Sequence, residues 1–327
     1  MIASTLFAKL PEDVVTPDGM AIDREGNLIL ACPNYADQSK AGCILKIKNQ
    51  NNIQKWFDVP VHEQTGVARP MGIAFGEDGD LYICDNQGWT GKSEHIRKGR
   101  ILRVRMDGNR IVQTTVVAKN MEHPNGIRIK NGYLFVTQST MELVKHPSGK
   151  LVSCVYRFRT DDREIDVGNT LSDEHICATF LTYNPDNQYG VDGITFDADG
   201  NLLVGNFGDG AVYKLELDED MSVKSNTLWV QDAKRLKSTD GMVTDAQGNV
   251  YVADFCANAI DKIQPDKTVS VLSQNGDTDG QNGELDQPGE PILWNNKLIV
   301  SCFDCVVNDQ VVNTAHELPA TLAQIEL

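Results

Sequence analysis

The chain has 327 residues and carries 30 Lys and Arg against 46 Asp and Glu, a formal net charge of -16. That balance excludes a nucleic-acid or anionic-membrane binder, because phosphate backbones and acidic lipid surfaces repel it. At 41% hydrophobic residues the chain fills a sizeable core, which excludes wholesale disorder, and it has no apolar run long enough to span a bilayer.

The opening stretch "MIASTLFAKLPEDVV" lacks a basic region and does not read as a signal peptide. Eight cysteines scatter through strand-like runs such as "LYICD" and "LVSCVY". They read as free buried thiols of a cytoplasmic, reducing environment. The one C-x-x-C, Cys302 and Cys305, has no second pair at zinc-finger spacing and closes the apparent strand "KLIVSCFDC".

Along the chain the same unit returns. "TPDGMAIDREGNLILA" comes first, then "RPMGIAFGEDGDLYIC", "HPNGIRIKNGYLFVT", "GVDGITFDADGNLLVG", "STDGMVTDAQGNVYVA" and "QPGEPILWNNKLIVS". Each has a turn-like entry, a short apolar strand, a tight hairpin and a second apolar strand. The anchor residues Asp18, Met71, Asn125, Asp192, Asp240 and Glu290 lie 53, 54, 67, 48 and 50 residues apart. Third strands follow at 42–48, 99–108, 154–162, 210–220 and 258–266, and fourth strands at 53–59, 113–120, 178–183, 227–232 and 268–274. Helical periodicity is nowhere sustained.

A period near 50 residues with several strands per unit means a propeller. The expected fold is therefore all-β, a single six-bladed β-propeller over residues 1–327 with four-stranded antiparallel blades. Ring closure falls to "STLFAKL" or "LAQIEL", from the two ends of the chain. The long gap between Asn125 and Asp192 predicts an insertion of roughly 15 residues, around "HPSGKLV" or "REIDVGNTLSDEH".

In a propeller the first strand of each blade lines the central channel, so the six anchors converge on one axis. Five of them carry oxygen, and Met71 is the exception. Singly, Asp or Asn before Gly is a turn residue. Five blades in one register, with the anchor changing among Asp, Asn and Glu, read instead as a ligand set for a hard divalent cation. The absence of His and Cys from the anchors argues against a structural zinc. The ends of the second strands add Asn34, Asn86, Gln138, Asn206, Asp254 and Asp304, which either hold a polar substrate or close turns. His123, two residues before Asn125, is a candidate for proton transfer or a surface histidine.

Through "HPNGI", "VDGITFDADGNLLVGNF" and "STDGMVTDAQGNVYVADF", phased over nearly the full length, the chain resembles the senescence marker protein (regucalcin)/gluconolactonase/LRE-like family. The resemblance implies a small-molecule hydrolase that opens lactones, sugar or aliphatic, at one divalent cation: Ca²⁺ first, with Zn²⁺, Mn²⁺ or Mg²⁺ as alternatives. By blade order its metal ligands fall on Asp18, Asn125, Asp192 and Asp240. Asp240, with Glu290 as alternate, is the expected base, and Asn86, Asn206, His123 and Asp254 are the expected substrate contacts. Two positions depart from the family pattern. Asp18 replaces a Glu, and Asp192 replaces an Asn, which makes the ring more anionic. The same ring would also support phosphotriester-like hydrolysis. A reading from a different class is a non-catalytic, NHL-like binding propeller with a structural Ca²⁺.

Overall fold

The innermost strands run Met20–Ile22, Pro70–Phe75, Pro124–Lys130, Val191–Phe196, Met242–Thr244 and Pro288–Trp294. Each is in contact with the inner strand of the next unit, and the last is in contact with the first, so they close a ring. In this computed structural model, which describes residues 1–306 and 310–327, a sheet radiates from each inner strand. The chain is a six-bladed β-propeller.

Burial is greatest in the second strands and least at the rim. Second strands such as Leu28–Cys32, Leu81–Asp85 and Val250–Asp254 are buried at every position. Both faces of such a strand pack against neighbouring blades, which is why it reads as continuous apolar sequence. The outer strand Asn52–Asp58 has no fully buried residue. Five hairpins turn on Gly26, Gly79, Gly132, Gly200 and Gly248, all at positive φ. The sixth uses Asn295 and Asn296 at φ 51° and 63°, two left-handed residues that match a type I′ turn.

The N-terminal strand Thr5–Lys9 closes the ring as the outermost strand of the sixth blade. It pairs antiparallel with Thr321–Glu326, the third strand of that blade. Both chain ends named from sequence are thus used side by side. The insertion also has a structure of its own. Ile165–Asp166 pairs in parallel with Ala118 and Lys119 and gives the second blade a fifth strand, so five blades rather than six are strictly four-stranded. All eight cysteines are free, with Cys302 buried and Cys305 half-buried. Among the described residues no helix is long and apolar enough to cross a membrane.

The glycines after the anchors explain the repeated motif. A methyl group at Gly19 would run into the carbonyl oxygen of Met71, at Gly72 into that of Asn125, at Gly126 into that of Asp192 and at Gly193 into that of Asp240. At Gly241 it would meet the Glu290 side chain, and at Gly289 it would lie 2.9 Å from Asp18 Oδ1. The six contacts run round the channel in blade order. Glycine is therefore required by close approach of adjacent inner strands and not by a turn. Replacing Gly193 by alanine should destabilise the fold by about 1–3 kcal/mol through overpacking. The same change at Gly276, which has no atom within 4 Å of an added methyl, should stay within about 0.5 kcal/mol in a urea titration.

Candidate metal centre

Packing of the anchor–Gly pairs fixes where the anchors sit. Asp18, Asn125 and Asp192 are buried around the axis, Asp240 is half-buried, and Met71 is buried beside them. Asn125, Asp192, Asp240 and Met71 form part of the wall of a cavity of about 390 Å³ at one end of the channel. Asp18 and Glu290 lie behind that wall and do not line it.

Burial raises the proton affinity of all four acids. The Asp18 carboxyl is pushed up to about 8 by burial and then by the nearby Glu290. Asp192 and Asp240 are raised by burial, and each is raised further by the other ring carboxylates. Glu290 is raised by burial but pulled back by Arg128, whose Nη2 donates to Glu290 Oε1 at 2.7 Å. The same nitrogen donates to the Met242 carbonyl at 2.9 Å, so one guanidinium from the third blade ties the fifth and sixth blades across the channel.

The donor set fits a hard divalent cation. Asp192 is 4% exposed, and its carboxylate takes no hydrogen bond among the described residues, although its backbone carbonyl accepts one from Thr137. A buried carboxylate without a partner is costly unless protonated or met by a cation. Asn125 turns its amide nitrogen to the Tyr189 hydroxyl at 3.5 Å, leaving the amide oxygen as a ligand atom. The carboxylate oxygens of Asp18, Asp192 and Asp240 are not all within 4.8 Å of one another. That is wider than a filled shell of direct ligands at roughly 2.4 Å, and leaves room for water among them.

Above the acids stands a collar of aromatic rings. Trp89 meets Tyr189 at 5.4 Å between centroids, Tyr189 meets Phe207 at 5.4 Å, Phe207 meets Phe255 at 5.8 Å and Phe255 meets Phe303 at 5.8 Å. Phe303 returns to Trp89 at 6.2 Å, which completes the circuit. Phe207, Phe255 and Phe303 each follow directly on the second strand of their blade. Trp89 is carried by the short 3-10 helix Gly88–Thr90.

The architecture is shared with solved structures. A gluconolactonase from Xanthomonas campestris superposes with a TM-score of 0.62 at 13% identity, over 98% of this chain and 88% of that one. A luciferin-regenerating enzyme gives 0.61 at 13% identity, over 96% and 92%. A regucalcin from Agrobacterium tumefaciens, described as a calcium-binding protein, gives 0.60 at 13% identity, over 98% and 95%. The chain has the fold of these propellers. No family model and no curated protein matches it, and at such identity the likeness speaks for the scaffold, on which many functions are grafted.

The structure brings Asn125, Asp192, Asp240 and His123 to the cavity and keeps Asn86, Asn206 and Asp254 away from it. Those three serve the loops. Asn86 Oδ1 accepts from the Gly88 amide, Asn206 bonds Thr182 and the Leu181 carbonyl, and Asp254 accepts from Lys237, Ser238 and Ala257. Asn34, Gln138 and Asp304 are tied in the same way. Glu290 differs from the expected base, being paired with Arg128 behind the wall. His123 lines the cavity with its imidazole depressed to about 4 by burial, so it is neutral near pH 7.

A second acidic group, Asp286, Asp304 and Glu317, lies in the sixth blade with ligand atoms all within 4.8 Å of one another. His316 Nδ1 sits 3.0 Å from Asp304 Oδ2 and partly offsets it. Arg128 is the residue this site adds to the sequence reading. Arg128→Met strands Glu290 in the channel and should cost about 2–3 kcal/mol in a urea titration, somewhat below the full range for a buried pair because both partners keep some solvent contact. Lys119→Met, which breaks the exposed pair with Glu164, should leave the midpoint of the same titration unchanged, because solvent screens such a pair.

Proposed function

We propose that the protein is a hydrolase that opens a lactone at a divalent cation held by Asp18, Asn125, Asp192 and Asp240, with Ca²⁺ as the preferred ion. The observation that carries the reading is Asp192, a buried carboxylate with no hydrogen-bond partner among the described residues, in register with two more acids around a closed axis. An all-oxygen donor set suits Ca²⁺ or Mg²⁺ better than a softer metal. The solved propellers named a gluconolactonase and a calcium-binding regucalcin lend support through their shared scaffold.

When bound, such a cation supplies Lewis-acid polarisation of a carbonyl and stabilises charge on its oxygen. The residues of the chain do the rest. Asp240, at the cavity wall, accepts a proton from the attacking water. Glu290 is withheld from that role by Arg128 and instead holds the inner strands in place. His123 contributes a neutral imidazole at the same wall. The aromatic collar narrows access of bulk water to the reacting carbonyl.

After removal of metal by a chelator, lactone opening followed by pH-stat should be absent and should return with Ca²⁺, Zn²⁺, Mn²⁺ or Mg²⁺. Asp240→Asn should lower kcat by about 100-fold or more. No turnover of any lactone by an intact, metal-loaded fold would overturn the reading in favour of a binding propeller. The raised acids also fix a pH dependence. Asp18, at about 8 without metal, together with Asp192 and Asp240, must lose protons before a cation binds. Ca²⁺ affinity by calorimetry should therefore rise with pH from about 6 to about 8, with protons released on binding; a flat profile would contradict the ligand assignment.

A further inference from the structure

The cavity wall is unusual in its charge. It carries the carboxylates of Asp186, Asp192 and Asp240 and the imidazole of His123, and it has no Lys or Arg. The guanidinium of the channel, Arg128, is engaged by Glu290 and by the carbonyls of Ile127 and Met242. Of the ring acids, Glu290 is thereby compensated, and among the described residues Asp18, Asp192 and Asp240 have no ion-pair partner. A divalent ion among three carboxylates leaves one negative charge unbalanced, before Asp186 at the rim is added. An anionic ligand is repelled by such a wall.

The collar adds geometry to the charge. Neighbouring ring centroids are 5.4 to 6.2 Å apart round the circuit of five. Four of the five rings join Tyr189 in lining the same cavity as the carboxylates, and a cation within roughly 6 Å of a ring centroid is attracted by the ring face. Neighbouring planes meet at 57° to 84°, so the rings are steeply inclined to one another and do not stack into a flat lid. Phe255 and Phe303 are each 2% exposed, so a cation seated there is largely out of water, where such contacts are strongest.

We propose that the collar formed by Trp89, Tyr189, Phe207, Phe255 and Phe303 is a binding site for an organic ammonium group, so that the substrate carries a positively charged amine or quaternary ammonium on the acyl or alcohol side of its ester or lactone. The ammonium half stands on the collar and the wall charge; only the ester half rests on the hydrolase reading. The collar holds the cation by its ring faces, Asp186 and the ring acids supply the counter-charge, and the carbonyl is left to reach the acids below.

The test is calorimetric, on Ca²⁺-loaded full-length protein at physiological salt, with choline and its uncharged isostere 3,3-dimethylbutan-1-ol as probes. Choline should bind more tightly by about ten-fold or more, the size of a desolvated cation–π contact. Phe255→Leu and the more peripheral Trp89→Leu should each erase most of that preference while leaving Ca²⁺ binding unchanged. Equal affinity for the two probes, no binding of choline, or a preference that survives both substitutions would overturn the proposal. Turnover of acetylcholine and 3,3-dimethylbutyl acetate separates the two readings. Choline bound through the collar with neither ester hydrolysed would overturn the ester half of this proposal and leave the ammonium site standing, while the lactone assay decides the hydrolase reading.

Discussion

The whole molecule depends on one steric constraint, the approach of each blade's inner strand to the anchor residue of the next. Gly19, Gly72, Gly126, Gly193 and Gly241 each pack where a side chain would strike the following anchor, and Gly289 completes the circle at Asp18. Such contacts set the radius of the channel. They also deliver the anchors to one axis through strand-to-strand packing. Close packing leaves little tolerance, so the same glycines that pack the blades decide how near the acids come to one another.

Electrostatics then divides the acids into two kinds. Glu290 is answered within the chain by Arg128, a pairing that spans the channel and bonds the Met242 carbonyl as well. Asp18, Asp192 and Asp240 meet no cationic side chain among the described residues and hold their protons more tightly than free carboxylates do. Such frustration is the usual mark of a functional site, because a folded core otherwise pairs or expels its charges. The aromatic collar above them lowers the local dielectric and strengthens whatever charge interaction forms there.

Much of the fold was legible because its signals are local. Hairpin glycines and paired apolar runs recur at each blade, and the structure keeps the strands close to where the pattern puts them. The parallel pairing of Ile165–Asp166 with the second blade left no such trace, since two residues carry no periodicity. In the site, repeat register brought Asn125, Asp192 and Asp240 to one cavity. It could not reveal Arg128, whose partner Glu290 is 162 residues away and belongs to another blade. At the second-strand ends, polarity misled. Side chains alternate along a strand, so Asn206 and Asp254 turn back into loop hydrogen bonds while the next residues, Phe207 and Phe255, face the cavity. The recurring "GNF", "ADF" and "SCF" was the available signal.

The central claim is that the axial acids, and not the acidic group of the sixth blade, hold the cation. Calorimetric titration of chelator-stripped protein with Ca²⁺ tests it directly when wild type is set beside Asp192→Ala and Asp304→Ala. The account predicts one tight equivalent in wild type and Asp304→Ala and its loss in Asp192→Ala. Retention of that equivalent in Asp192→Ala, or its loss in Asp304→Ala alone, would contradict it.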